Sequence, residues 1–266
     1  MADNDLFARI YAARRIWAIG SVHGEVERLR EMHRIVLSQF ADGDRLVYLG
    51  NFMGRGRHVR ATIDEILRAR RKLLARPGMF IEDIVLLRGS QEEMWQKVMQ
   101  LQFAPNPREV LPWVINQGVG ATIEAYGGSL DEGLKAVRDG AVSITRWTNA
   151  LRASLRNAIG HGEMMSSLRH AALSDDGRVL LVNAGIDTSR PLTAQSDSFW
   201  WGGTEFSSIE APYGEVGRIV RGFDRAKPGA VETEFTLTLD GGCGRGGKLL
   251  AGLLDGAGRV QAIYEA

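Results

Sequence analysis

The 266-residue sequence has one cysteine, Cys243, and only seven prolines. A lone thiol forms neither an internal disulfide nor a thiolate metal centre, which excludes cross-linked mini-scaffolds and fits a reducing compartment. Charge of one sign is also missing: 33 basic residues face 32 acidic ones, a formal net charge of +1. Binding duplex nucleic acid as the main partner takes a cationic excess to neutralise phosphates, so no nucleic-acid partner is expected. Long hydrophobic runs are absent too. No stretch approaches the roughly 20 apolar residues that span a bilayer, and the amino-terminal MADNDLFARIYAARR lacks the apolar core of a secretion signal. The expectation is a cytoplasmic protein with no membrane partner. No repeat, low-complexity tract or Pro/Gly/Ser linker divides the chain, which predicts one domain over residues 1–266. A hydrophobic content of 44% is ample for a globular core.

What is present is a rhythm of short apolar run, glycine-rich turn and amphipathic helix. Arg15 to Gly20 (RIWAIG) runs into SVHG and a helix from about Glu25 to Gln39. Arg45 to Gly50 (RLVYLG) runs into NFMGRGR and a helix from about His58 to Leu74, and Asp83 to Gly89 (DIVLLRG) into SQEE and a helix through about Gln100. Strands feeding helices through such turns predict α/β architecture. Residues from about Asn116 to Ala172 read as helices broken at Gly127, Gly128 and Gly160, with Trp113 and Trp147 as core anchors. From Arg178 the pattern turns to strands (RVLLVNAGI, RIVRGF, FTLTLDGG, KLLAGLLD, RVQAIYE), which predicts a second sheet packed on the first.

The three early turns stand at the carboxyl ends of strands, where open α/β sheets place ligands. They read Gly20-Ser21-Val22-His23-Gly24, then Gly50-Asn51-Phe52-Met53-Gly54-Arg55-Gly56, then Gly89-Ser90-Gln91-Glu92. In order and spacing they resemble the GDxHG, GDxxDRG and GNHE blocks of the calcineurin-like metallophosphatases, in the bacterial phosphoprotein (serine/threonine) phosphatase branch. The segment from Trp113 through Asn116 and Gly118 to Thr122 is similar to that family's W-x-x-N-G-G…T element. Leu181 to Ile186 is similar to its FVHAGI strand. Arg190 to Gly202 and the closing LDGGCGRGGKLLAG also resemble that bacterial subgroup, so the likeness covers nearly the whole chain. It implies a calcineurin-like sandwich, two mixed β-sheets flanked by helices.

The chemistry departs from the resemblance. A dinuclear phosphatase holds two divalent cations about 3.5–4 Å apart and needs carboxylate and imidazole ligands to offset their charge. By the resemblance, the first aspartate position is Ser21, the bridging aspartate position is Asn51, the third block's asparagine is Ser90 and the FVHAGI histidine is Asn183. A further ligand histidine falls near Gly222-Phe223, where neither Phe223 nor Lys227 serves. The proton-donating histidine is Gln91 and its partner aspartate is Gly54; of the six ligand positions only His23 survives. Neutral amides and a hydroxyl neither hold such a pair nor generate hydroxide at neutral pH.

These residues predict a pseudophosphatase with no metal and no other cofactor, acting as a regulatory or protein-binding module. His23, Asn51, Arg55, Ser90, Gln91 and Asn183 are expected to line a vestigial cleft able to hold water or a ligand. Arg55, at the family's phosphate-contacting position, reads equally as an anion-binding side chain helped by backbone N–H groups and as a solvated loop arginine. The partner class is a protein, phosphorylated where Arg55 is engaged, with Trp200 and Trp201 as the candidate partner surface. Glu92 matches the glutamate that braces the third loop, and Arg221 reads as an exposed strand-edge residue. Two other readings stay open on the sequence alone: an active phosphoesterase using His23 with carboxylates such as Asp187 or Asp224, and a structural subunit dimerising through the helical middle. Gly242 to Leu249 nearly spells a P-loop, but Leu249 replaces the magnesium-binding hydroxyl. The basic run Arg68 to Arg76 reads as a solvated helix end.

Overall fold

The computed structural model describes residues 6–195, 197–203 and 206–266; Met1 to Asp5 of the amino-terminal segment and Ser196 of the Arg190 to Gly202 stretch lie outside them. In chain order the described strands and helices are β1 (Phe7–Ile10), β2 (Arg15–Ile19), α1 (Val26–Gln39), β3 (Asp44–Tyr48), α2 (Val59–Leu74), β4 (Ile84–Leu86) and α3 (Ser90–Met99). Then come α4 (Pro107–Val114), a π-turn (Ile115–Val119), α5 (Gly120–Ala125), α6 (Leu130–Asp139), α7 (Ala141–Asn157) and α8 (His161–Ser166). The last part holds β5 (Ala171–Ser174), β6 (Val179–Val182), α9 (Ser198–Trp201), β7 (Arg218–Arg221), β8 (Gly229–Glu232), β9 (Thr236–Asp240), β10 (Leu250–Asp255) and β11 (Val260–Glu265). No helix among the described residues is long and apolar enough to cross a membrane.

Two mixed sheets result. One has the order β11-β10-β2-β3-β4 and the other β1-β5-β6-β7-β9-β8. Strands β2, β3 and β4 run parallel, as do β6, β7 and β9, so each sheet sends three parallel carboxyl ends to one edge of the sandwich. The late strands do not all build the second sheet, as the sequence suggested. β10 pairs antiparallel with β2 and β11 with β10, while β1 pairs with β5 in the other sheet.

Period-two alternation sorts the strand side chains. Ile16, Ala18, Val47, Leu49 and Val85 face Ala172, Val179, Leu181, Val220, Leu237 and Leu239 across the sheet interface. Trp17, Ile19, Leu46, Tyr48, Ile84 and Leu86 face outward against Leu29, Met32, Val36, Ile63, Ile66 and Val98 on helices α1 to α3. The outer face of the second sheet is covered by Phe199 and Trp200 of α9 with Phe206, Ile209 and Val216. Burying one such aliphatic side chain is worth about 1.5–3 kcal/mol, so three apolar layers dominate the folding free energy.

Trp147 is buried, as expected of an anchor, but Trp113 is 44% exposed on α4. Its helix is short, with Pro112 inside it, and turns the indole outward toward Trp201, 5.8 Å away. The P-loop look-alike follows β9 and runs into β10, so it lacks the helix N-terminus that cradles phosphate. Arg76, past the end of α2, donates to the Phe40 and Leu37 carbonyls that close α1, so the basic run is partly structural.

Adjacent carboxylates Asp64 and Glu65 on α2 point to separate partners. Glu65 accepts from His33, which reaches Tyr48, while Asp64 meets His161, which reaches Tyr126. Burial alone would raise the Glu65 carboxyl, but His33 and Arg68 bonds overcome it and leave it lowered.

The buried charge that fixes the start of the first sheet is Asp44. It accepts from Arg15 at 2.8 and 2.6 Å, from the Trp17 indole at 3.0 Å and from the Ala41 N–H at 3.0 Å. Asp44→Asn removes the charge and turns one acceptor into a donor facing donors. The expected loss is about 2–3 kcal/mol, below the full cost of breaking a buried pair because Arg15 keeps contact with water. Urea unfolding with an unchanged m-value checks it, and a midpoint equal to wild type contradicts the role given to Asp44.

Candidate functional site

The carboxyl ends of β2, β3, β4, β6 and β7 converge, and backbone hydrogen bonds stitch their loops together. Ser21 N–H donates to the Gly222 carbonyl, His23 N–H to Asn51, and Gly222 and Phe223 N–H groups to Asn183. Loop shape at these ends is held by residues in the left-handed region: His23, Asn51 and Arg55 have φ of 53°, 55° and 54°. Such conformations are uncommon outside glycine and collect where surrounding contacts over-determine them.

Asn51 is the hub. Its amide nitrogen donates to Ser21 Oγ at 3.1 Å and Asn183 Oδ1 at 3.4 Å; its oxygen accepts from Ser90 Oγ at 3.1 Å and the Gln91 N–H at 3.0 Å. Asn183 Oδ1 also accepts from the Ser90 N–H at 3.3 Å, and its amide donates to the Leu49 carbonyl at 2.6 Å. Ser21, Asn51, Ser90, Gln91 and Asn183 are all buried, 0–3% exposed. The structure therefore brings four of the six expected cleft residues, Asn51, Ser90, Gln91 and Asn183, together with Ser21 beside a fifth, His23, but not as the lining of an open cleft. Most of their donors and acceptors are spent on one another or on the backbone, while Gln91 Oε1 is buried without a partner among the described residues. Short polar side chains at interlocked turns can satisfy each other without water, which removes the space the sequence reading assigned to a ligand.

Glu92 braces the loops as the resemblance implies. It accepts from the N–H groups of Asn51, Phe52, Gly89 and, at 3.2 Å, Met53. Burial pushes its carboxyl up in pKa, against the pull of backbone N–H groups that include those of Gly89, Met53 and Asn51. Gln91 donates to the Gln117 carbonyl, and a Cβ placed on Gly54 would lie 2.0 Å from Gln91 Oε1. The Gln91 amide thus occupies the space of any side chain at position 54.

His23 is fully buried, and neither ring nitrogen has a partner of hydrogen-bonding geometry among the described residues. Phe223, where the family would place a ligand histidine, packs edge-on to it at 5.9 Å. Burial first, then the charges of Arg55 and Arg245, lower its pKa to about 3, with a backbone contact from Met53 working the other way. His23 is a neutral imidazole under a cationic roof.

That roof is the part sequence reasoning missed. Arg245, from the glycine-rich loop after β9, donates to Asp240 at 2.8 Å and to the Asp224 and Arg225 carbonyls, and lies 5.3 Å above the Phe223 ring. Its Nε is buried without a partner. Arg55 is exposed at the mouth, with its stem against Gly118, and burial together with the repulsion of Arg245 and Arg225 lowers its pKa. The signal was present as an arginine in GGCGRGG, but only the sandwich brings that loop over the first turn. Arg221, read as exposed, is instead packed 4.2 Å from the Phe206 ring, paired with Asp224 and bonded to Thr238 and Ala184.

The residues present do not fit a dinuclear metal centre. Their oxygens and amides are neutral, the adjoining carboxylate of Glu92 is engaged by backbone N–H groups, and no cluster of three His, Cys, Asp or Glu able to hold an ion occurs among the described residues. Asp187 is engaged with Ser189 and Arg190, and Asp224 with Arg221, so the carboxylates of the rival reading have other partners. Trp200, offered as partner surface, is 6% exposed and packs edge-on to His170 at 4.9 Å, so it belongs to the core; Trp201 stays partly exposed beside Trp113.

A buried neutral histidine links stability to pH. Between about 3 and the ordinary 6.5, the unfolded chain binds a proton at His23 that the folded chain does not, so stability falls as pH drops through that window. His23→Asn, whose side chain tolerates a left-handed backbone, is expected to flatten the slope of unfolding free energy against pH, by at most about 1.4 kcal/mol per pH unit. Urea midpoints of the two proteins measured through this window check it; parallel slopes contradict a neutral His23.

No protein-family model matches the sequence, and no curated protein matches it. Solved structures do match. One, of a protein proposed to be a diadenosine tetraphosphatase, superposes with a TM-score of 0.59 at 17% identity, covering 98% of this chain and 97% of that one. A cold-active protein tyrosine phosphatase gives a TM-score of 0.51 at 15% identity over 97% of this chain and 80% of that one. At such identities the likeness speaks to architecture alone. The two mixed sheets flanked by helices are the calcineurin-like metallophosphatase sandwich that the three turns implied.

Proposed function

We propose that this chain is a metallophosphatase-fold protein without phosphatase activity, a regulatory module that binds a phosphorylated protein partner and leaves the phosphoester intact. The observation that supports this most is the Asn51 hub. Hydrolysis of a phosphoester between two cations needs anionic bridging ligands and an acid positioned at the leaving oxygen. At those places stand Asn51, Ser21, Ser90 and Asn183, bonded to each other, with Gln91 turned to the Gln117 carbonyl. Above them stand Arg55, whose guanidinium is unpaired among the described residues, and Arg245, which keeps Asp240 as its partner; a free guanidinium favours phosphate over divalent cations.

The binding role follows from the same charges. Arg55 has no hydrogen bond or ion pair from its guanidinium among the described residues, and Arg245 holds an unsatisfied buried Nε close by in charge. A phosphoryl group offers several acceptors to such donors, and guanidinium matches its geometry. The segment whose Gly118 abuts Arg55 begins with α4, which carries exposed Trp113 beside Trp201, an aromatic surface for the rest of a partner.

Two measurements test this reading. Purified protein assayed with p-nitrophenyl phosphate and added manganese is expected to show no turnover above buffer and no stoichiometric metal by elemental analysis; turnover lost in His23→Ala overturns it. Phosphoserine, titrated calorimetrically, is expected to bind, and Arg55→Ala to weaken it by about tenfold, the worth of one charge-assisted hydrogen bond. Equal affinity in Arg55→Ala means that the mouth is not the anion site.

A further inference from the structure

The two sheets leave a gap at the side where β1, the last strand of one sheet, comes near β4, the last strand of the other. Among the described residues no further strand pairs with the outer edge of either, although Arg169 exchanges backbone hydrogen bonds with Leu86 and Arg88 at the end of β4. The gap encloses a cavity of about 330 Å³ walled by Phe7, Ala8, Tyr11, Ile81, Ile84 and Val85. That size is at the lower end of small-molecule sites, which run from about 300 to 1,000 Å³. Two of the lining residues, Tyr11 and Ile81, are also 60% and 55% exposed, so apolar surface reaches the opening.

The charged groups facing this cavity are Arg9, Arg70, Arg169 and Glu82. Arg169 has a partner of its own, which leaves Arg9 and Arg70 with Glu82. Arg70, projecting from α2, has no hydrogen bond or ion pair from its guanidinium among the described residues, although its Nε is buried. A buried donor without a partner is costly, and here it belongs to a side chain that lines the cavity.

We propose that this gap is a binding site for a small anionic amphiphile, a carboxylate carried on an unbranched apolar chain. The apolar walls from β1, β4 and Ile81 take the chain, and the Arg70 guanidinium, with Arg9 beside it, takes the head. The site uses none of the residues around Arg55, so it stands or falls separately from the phosphoryl-binding reading.

Octanoate is the probe. Titrated into the isotopically labelled protein, it is expected to shift the amide resonances of Phe7, Ala8, Ile84 and Val85 in a saturable way. Octanol, which lacks the charge, and acetate, which lacks the chain, are expected to bind at least about tenfold more weakly, as is octanoate to Arg70→Met, since one charge-assisted contact is worth roughly that factor. Arg55→Ala is expected to bind octanoate as wild type does, and a second variant, Arg9→Met, to bind it more weakly. Resonance shifts scattered over the surface, equal binding of octanol, or full affinity in an Arg70→Met protein with a wild-type urea midpoint would each overturn the proposal.

Discussion

Everything at the convergent strand ends depends on how one side-chain amide is used. Asn51 sits where the loops after β2, β3, β4 and β6 meet, and its two ends pair with Ser21, Asn183, Ser90 and the Gln91 backbone. An aspartate there would present two acceptors and a charge. The amide nitrogen would become an oxygen facing Asn183 Oδ1, and acceptor would meet acceptor in a space that excludes water. Asn51 therefore lets the loops of the two sheets close on each other with no charge at the hub to offset. Neutrality at this point permits burial of all five polar residues and of His23 beneath the arginines.

The scaffold around the hub stays anchored by a single buried carboxylate. Glu92 collects four backbone N–H groups from two loops, a role that depends on loop geometry and not on any ion. This separates two jobs that the sequence motifs merge. The glycines, Glu92 and the left-handed turns shape the loops, while the residues between them decide what the loops hold. The shape is the two-sheet sandwich, and the contents are neutral side chains hydrogen-bonded to each other and to the backbone around Glu92, with Arg55 and Arg245 above them.

Much of this was legible in the sequence because the early strands alternate and the turns are punctuated by glycine. RIWAIG and RLVYLG carry inward and outward apolar sets at period two, and the three amphipathic helices end within a residue or so of their expected limits. What stayed hidden was short or relational. β1 (FARI), β5 (AALS) and β8 (GAVE) span four residues each, too few for a periodic signal. The pairing of β10 with β2 is a matter of topology that no local pattern encodes. Trp113 and Trp200 exchanged roles for the same reason: hydrophobicity says that an indole wants cover, but only the orientation of α4 and α9 decides which one receives it.

The candidate site was legible in membership and not in arrangement. The substitutions read one at a time as losses, whereas the structure couples them. Gln91 lies where a side chain at Gly54 would go, with 2.0 Å to a Cβ there, so a larger residue at position 54 requires the Gln91 amide to move. Phe223 fills the side of His23 that a second imidazole would occupy, and Arg245 stacks over Phe223 while contributing the charge that keeps His23 neutral. Gly54 with Gln91 and Phe223 with His23 are thus packing partners, as Asn51, Ser21, Ser90 and Asn183 are hydrogen-bonding ones. A change at one of these positions is therefore felt by its neighbours, and substitutions within such a set are not expected to add independently. Coupling of this kind makes the interior at the strand ends one unit, which residue-by-residue reading of the sequence does not reveal.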